Sequence, residues 1–265
     1  MEIKLICTSC GNIRPHTQKE KVNGLRCESC GTPFSWNDSF PPLTAHDMMR
    51  SVISLFKSAK ENDKKNLSCA YDYLREEDIN LDKTLLDKYK NRYERMLEKY
   101  PYNDDAVWVN ISDEFIDELS HEFGEYDATL IYAALRAHSW NEYRKPCLIM
   151  MASVMEQLFN DYFFTLVSNV LSPSGAEAFL KKYENAGIQS AIDIADSFLD
   201  DSLRNEMAKY SSSFFDKWET LRRLRNRIIH DNKIYISKNK LSDCLKITES
   251  GFDVFASIKA DIYKE

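Results

Sequence analysis

Residues 212–230, SSFFDKWETLRRLRNRIIH, are the stretch of this chain that most clearly indicates its fold. Five apolar residues of this stretch recur at helical spacing: Phe214, Trp218, Leu221, Leu224 and Ile228. This spacing predicts an amphipathic helix with one buried face. The segment from Arg222 to Asp231 holds four arginines, one asparagine and one histidine, in a chain whose formal net charge is −7. Cations gathered around a titratable imidazole favour a site for an anionic ligand such as phosphate.

Three polar residues of this stretch fall on one face of the predicted helix. Arg222, Asn226 and His230 are four residues apart, beside the apolar stripe. Arg225 lies on the flank nearer that stripe, from which its long side chain can reach toward His230. The imidazole falls in the last predicted turn, where the helix dipole favours its protonated form and the arginines oppose it. The residues alone leave open whether this histidine takes part in chemistry or only caps the helix.

The composition is that of a globular protein without a membrane span. The chain has 265 residues, of which 43% are hydrophobic and 29% are charged, enough to bury a core in one large domain or two smaller ones. Charges interrupt every apolar run well before the roughly 20 residues that a membrane helix needs. The first residues show no signal-peptide pattern, and the cysteine count of seven is odd. We therefore expect a cytoplasmic protein that does not contact membranes.

The sequence divides into three segments. Residues 1–42 hold three of the seven glycines, short β-like runs and four paired cysteines, and they end in two prolines. Residues 43–124 form a helical middle region, and residues 125–265 form a second set of helices that resembles a bundle. The predicted fold is mainly α: a small N-terminal zinc ribbon with four cysteine ligands, followed by an all-α body that ends in a helix bundle.

Several helix boundaries follow from local signals. Thr44 is a predicted N-cap, because Asp47 stands three residues after it as in a capping box. The polar run from Lys60 to Lys65 predicts a turn between two helices. Helical periodicity returns from Tyr126 to about Tyr143 and again from Pro146 to about Leu171.

Two Cys-x-x-Cys pairs, separated by sixteen residues, lie in the N-terminal segment: Cys7, Cys10, Cys27 and Cys30. Four thiolates at this spacing complete a tetrahedral shell around one Zn2+ and leave no position for water, which predicts a structural ion. Two disulfides or an iron site are the alternatives. The segment resembles a zinc ribbon, and its balanced charge favours bracing or protein contact over phosphate binding. The other cysteines are expected as buried apolar residues: Cys69, Cys147 and Cys244.

The sequence from Arg225 to His230, RNRIIH, resembles the Arg-x-x-x-x-His motif of HEPN-domain proteins, in the Arg-Asn form common among their ribonuclease members. The resemblance covers about residues 125–265. The motif is short, but its context fits, since it ends a late helix that is followed by a polar turn, a short extended piece and a last helix. The upstream helix, with Glu156 at its centre, looks like the second helix of that bundle, and Glu156 either contacts Arg225 or lies at a solvated edge.

This resemblance implies a metal-independent endoribonuclease whose site forms where two copies of the motif helix meet in a homodimer. The 2′-hydroxyl of RNA would attack the adjacent phosphate and leave a 2′,3′-cyclic phosphate. Carried over by position, His230 would be the general acid or base, Arg225 would hold the phosphate and Asn226 would orient the histidine or the RNA. Arg222 and Arg227 would bind further along the RNA.

The resemblance also implies a biological setting. Prokaryotic members often act as toxins, antiphage effectors or abortive-infection proteins, so an antitoxin or regulatory protein is a candidate partner. One alternative is a non-catalytic module of the same type that dimerises or docks a nucleic acid or protein. Another is that a partner enzyme silences the protein by nucleotidyl transfer, with Tyr235 as the candidate acceptor.

Overall fold

The computed structural model describes residues 2–6, 13–17, 26, 28–29, 44–99, 105–183, 187–231 and 234–263. The chain forms two compact units, Met1–Asp47 and Met48–Glu265. In the first unit, strands β1 (Glu2–Ile6) and β2 (Ile13–Thr17) pair antiparallel. The four cysteines predicted to bind zinc lie outside the described residues, so their zinc site stays a prediction.

The described part of the second unit is helical, which confirms the mainly α prediction. Among the described residues, ten helices follow the strands: α1 (Ala45–Glu76), α2 (Lys83–Lys99), α3 (Asp105–Phe123), α4 (Glu125–Ala137), α5 (Arg144–Val170), α6 (Pro173–Tyr183), α7 (Gly187–Asp196), α8 (Leu203–Ala208), α9 (Phe214–Asp231) and α10 (Lys238–Ile262). Residues 48–265 form one compact unit. The domain boundary predicted at residue 124 falls inside this unit and stays a prediction.

The predicted turn at residues 60–65 is wrong, because α1 runs through it without a break. Two side chains in or next to the polar run are held by tertiary contacts. The Asp63 carboxylate lies 2.6 Å from the Arg144 guanidinium, and the Asn66 amide donates to the carbonyl of Trp140 at 2.6 Å. These partners are 81 and 74 residues away along the chain, so no local signal reveals them. Tertiary contacts here outweigh the local preference for a turn.

The N-terminus of α1 has the capping box that the sequence indicates. The Thr44 hydroxyl accepts from the Asp47 backbone N–H at 3.2 Å, and the Asp47 carboxylate accepts from the Thr44 N–H at 3.3 Å. Two N–H groups that the helix leaves unpaired are thereby satisfied.

Helix α4 ends at Ala137, six residues earlier than predicted. The buried side chain of Asn141 explains the difference. Its amide donates to the Ala59 carbonyl and to the Asp63 carboxylate, each at 2.8 Å, and its oxygen accepts from the Tyr143 N–H at 3.1 Å. The segment between α4 and α5 is thus fixed to α1 by hydrogen bonds that a continuous helix would lack.

The core behind the basic stretch is formed by α5, α9 and α10. Phe159 of α5, Trp218 of α9 and Phe255 of α10 are almost fully buried and lie with ring centroids 5.6 to 6.5 Å apart, a range typical of stabilising aromatic pairs. At Gly251 of α10, an added Cβ would lie 2.5 Å from the sulfur of Met155, so the glycine permits the close approach of α5 and α10. This packing fixes the face that α9 turns outward.

Candidate functional site at the end of α9

Helix α9 buries the predicted apolar stripe, which confirms the assignment of its faces. Phe214, Trp218, Leu221 and Ile228 are at most 5% exposed, and Leu224 is half-buried. The helix ends at Asp231, one residue beyond the predicted end.

The residues predicted to act on RNA lie together on the last turns of α9. Asn226, Arg227 and His230 are exposed, while Arg222 and Arg225 are half-buried along the edge of the stripe. While the apolar side is buried, these cationic and amide side chains are exposed or half-buried. The assignment of individual catalytic and binding roles to these residues stays a prediction.

The two half-buried arginines have different partners. The Arg225 guanidinium donates to the Asn226 side-chain oxygen at 3.0 Å. The Arg222 guanidinium donates to Gln189 of α7 at 3.2 Å and lies 5.7 Å from the centre of the Trp218 ring. Asn226 therefore contacts Arg225 rather than His230 within one chain, and orientation of the histidine by this amide is not seen in the single subunit.

Both arginines also carry a buried donor that has no hydrogen-bond partner among the described residues. The Nε atoms of Arg222 and Arg225 are shielded from solvent, and neither has a hydrogen-bond partner among the described residues. A buried N–H without a partner costs about 1–3 kcal/mol. An oxyanion that reached these atoms would remove that cost and add a charge-assisted bond.

The charge around Arg222 is set by burial and by nearby carboxylates. Burial lowers the pKa of Arg222, and Glu156, Glu219 and Asp193 oppose the shift. Glu156 of α5 thus acts electrostatically on Arg222, and its contact with Arg225 or its place at a solvated edge stays a prediction. The guanidinium stays charged at neutral pH, as arginine does in proteins generally.

His230 is one of the exposed groups of the site. Its side chain is exposed and makes no hydrogen bond or ion pair to any described residue. Nothing in the described part of the same chain therefore competes with a ligand for its ring nitrogens. Ile229, beside it, is 48% exposed, which places an apolar side chain next to the imidazole on the surface.

A buried ionic network that the sequence did not reveal lies at the junction of α1, α2 and α5. Arg144, 2% exposed, reaches the carboxylates of Glu94 at 2.9 Å and Asp63 at 2.6 Å. Its other terminal nitrogen donates to the Tyr235 hydroxyl at 3.1 Å and to the Ile236 carbonyl at 2.8 Å. We call these the Arg144 network: Arg144, Asp63, Glu94, Tyr235 and Ile236.

The Arg144 network holds the segment 234–237, which leads from the end of α9 into α10. The Tyr235 hydroxyl donates to the Ser139 carbonyl at 3.0 Å, and the Ser237 hydroxyl donates to Glu98 at 2.5 Å. The Lys238 N–H donates to the Glu94 carboxylate at 3.2 Å. The chain just beyond the basic stretch is thereby attached to α2 and to the loop before α5.

The proposal of Tyr235 as an acceptor of nucleotidyl transfer is wrong for this structure. The side chain is 7% exposed, and its hydroxyl is engaged by Ser139 and Arg144. Burial, followed by the charge of Glu94, raises the pKa of Tyr235 well above its usual value. A buried phenol held in this way cannot approach a partner enzyme.

Two of the three unpaired cysteines behave as expected. Cys147 and Cys244 are buried, and burial raises the pKa of the first thiol to about 12 and of the second to about 11. Both are therefore neutral and unreactive at physiological pH. Cys69 is only half-buried.

The described residues show neither a membrane-spanning helix nor a metal-binding cluster. No helix among them combines the length and apolar character needed to cross a membrane. They also contain no group of three or more His, Cys, Asp or Glu side chains placed to hold a metal ion. Comparison with known proteins returned no matching family model, no matching curated protein and no matching solved structure.

Proposed function

We propose that this protein is a metal-independent endoribonuclease that acts at the end of α9. The observation that carries the proposal is the surface placement of His230, without partners among the described residues, on the same helix turns as Arg225 and Asn226. A free imidazole beside guanidinium groups supplies proton transfer and phosphate binding together, and cleavage next to a 2′-hydroxyl needs little else.

In the proposed reaction, the 2′-oxygen of a ribose bonds to the adjacent phosphorus and gives its proton to a general base. The bond from phosphorus to the 5′-oxygen breaks, and that oxygen receives a proton from a general acid. His230 serves as one of these groups, and Arg225 stabilises the charge that develops on the phosphate oxygens. Arg222 and Arg227 bind neighbouring phosphates.

The experiment that tests this reaction uses the full chain, a labelled RNA and an excess of EDTA. We expect cleavage products that end in a 2′,3′-cyclic phosphate and begin with a 5′-hydroxyl. The matched control is the same RNA with 2′-deoxyribose at the cleaved position, which should stay intact there. Cleavage of the deoxy substrate would contradict the proposed chemistry. Intact RNA in every reaction would instead favour a non-catalytic module that binds nucleic acid or protein.

We further propose that the site is completed by a second copy of the chain. A single His230 cannot donate and accept a proton in the same step, whereas two subunits that meet at this surface supply two imidazoles. The exposed Ile229 next to His230 provides an apolar contact for such an interface.

Replacement of Ile229 by aspartate tests this interface. We expect Ile229→Asp to halve the molecular mass measured by light scattering and to abolish RNA cleavage, because a carboxylate cannot be buried at low cost against its copy. Ile53→Asp is the matched control, since Ile53 is 42% exposed on α1. A monomeric wild-type protein, or equal mass for the two variants, would contradict the dimer.

The proposed cofactor is one structural Zn2+ held by Cys7, Cys10, Cys27 and Cys30. We expect about one zinc per chain by mass spectrometry of the purified protein. Cys27→Ser should lose the metal, and Cys69→Ser, which changes a cysteine outside the two pairs, should keep it. Zinc retained by both variants would contradict this ligand set. The RNA cleavage described above should not require the ion, because a closed shell offers no position for substrate.

We also propose that the nuclease serves as a toxin or antiphage effector under the control of a regulatory protein. Expression of the wild-type chain alone should then arrest bacterial growth, and expression of the His230→Ala variant should not.

A further inference from the structure

A cavity of about 400 Å³ lies between α1, α2 and the first turn of α10. It shares no residue with the end of α9, since its lining comes from residues 56–90 and 238–242. Its size is within the range of small-molecule sites, roughly 300–1,000 Å³.

The charged residues of this cavity are mostly cations. Four lysines line it, against two aspartates: Lys60, Lys64, Lys90, Lys238, Asp63 and Asp87. These groups sum to a charge of +2 in a protein of −7. Asp63 is also engaged by Arg144 at 2.6 Å, and Asp87 by Lys238 at 2.9 Å. Lys60, Lys64 and Lys90 make no ion pair with any described residue.

Lys90 is the most unusual of these residues. It is only 3% exposed, yet its ammonium makes only one hydrogen bond to the described residues, at 3.4 Å to the backbone carbonyl of Asp63. Burial lowers the pKa of Lys90, and Arg144 and Lys238 add to the effect, while Glu94 and Asp63 oppose it. Because an ammonium has three donors, two donors of Lys90 have no partner among the described residues.

Lys64 and Lys60 stand at the exposed side of the cavity. Lys64 makes no hydrogen bond or ion pair to any described residue. Lys60 lies over the ring of Phe56 at 4.7 Å from its centre. The apolar walls are formed by Phe56, Leu67 and Leu241, so the cavity offers a cationic part and an apolar part side by side.

The geometry points to a binding site for a small organic phosphate, with the phosphate held by Lys64 and Lys90 and an apolar ring placed against Phe56, Leu67 and Leu241. A phosphate monoester carries about −1.5 to −2 charges at neutral pH, which matches the excess charge of the lining. Lysine ammonium groups bind phosphate as point charges. The site shares no residue with α9, so this proposal does not depend on the proposed ribonuclease activity.

The test is isothermal titration calorimetry on the full chain with inorganic phosphate, adenosine and adenosine 5′-monophosphate. We expect the nucleotide to bind more tightly than phosphate, and adenosine without phosphate to bind least. Lys64→Gln should weaken nucleotide binding by about tenfold or more, because it removes a charge-assisted bond. Lys65→Gln is the matched control, since Lys65 is its exposed neighbour outside the cavity.

Two further variants test whether the nucleotide binds in this cavity. Lys90→Met should weaken binding as Lys64→Gln does, with folding checked by circular dichroism, and Arg225→Ala should leave it unchanged. Absence of binding by both phosphate and the nucleotide would overturn the proposal, as would equal losses in the Lys64 and Lys65 variants. Loss of binding in Arg225→Ala alone would place the ligand at α9 and also overturn it. Equal affinity for phosphate and the nucleotide would overturn the assignment of the apolar walls.

Discussion

Replacement of Arg144 by methionine is expected to lower the free energy of unfolding by about 3–5 kcal/mol, because it leaves the buried carboxylate of Glu94 and the half-buried carboxylate of Asp63 without their cation. Glu94 is 1% exposed and lies 2.9 Å from the guanidinium, and Asp63 lies 2.6 Å from it. The change also removes the donor for the Ile236 carbonyl, which is held at 2.8 Å. Urea unfolding followed by circular dichroism measures the loss.

Two controls separate the charge from the packing of the Arg144 network. Arg223→Met removes an arginine whose side chain is 70% exposed in an ion pair with Glu219, and should cost less than about 1 kcal/mol. The double variant Arg144→Met/Glu94→Gln should be more stable than Arg144→Met, because it neutralises the carboxylate left behind. A double variant no more stable than the single one, or equal losses at Arg144 and Arg223, would contradict this account.

The Arg144 network also shows why part of the fold could not be read from the sequence. Its members Asp63, Glu94, Arg144 and Tyr235 are 31 to 172 positions apart in the chain, so no local pattern connects them. The predicted turn at residues 60–65 was wrong for this reason. The local sequence marks Asp63 as an exposed polar residue, whereas in the structure its carboxylate pairs with Arg144. Buried charge is determined by tertiary contacts, and local propensity does not report it.

The faces of α9 were easier to predict, because helical periodicity is local. The spacing of Trp218, Leu221 and Ile228 predicts the buried face of the helix, and the structure shows that Asn226 and His230 are exposed. What the spacing could not show is that Asn226 accepts from Arg225 at 3.0 Å. Nor could it show the buried, unpartnered Nε atoms of the arginines among the described residues, which depend on how α9 packs against other helices.

Replacement of His230 by alanine should have the largest effect on activity. Loss of a positioned acid or base costs about 10²–10⁴ in rate. The side chain is exposed and has no partner among the described residues, so its removal should change the free energy of unfolding by no more than about 0.5 kcal/mol. A loss of activity could therefore not be attributed to unfolding. His121→Ala is the matched control, since His121 is also exposed in the last turn of a helix, α3.

The most direct measurement is the rate of RNA cleavage in EDTA by purified wild-type, His230→Ala and His121→Ala proteins. We expect the wild type and His121→Ala to release 2′,3′-cyclic phosphate ends at the same rate, and His230→Ala to be slower by at least about a hundredfold. Equal rates for all three proteins, or no cleavage by any of them, would contradict the assignment of the end of α9 as a ribonuclease site.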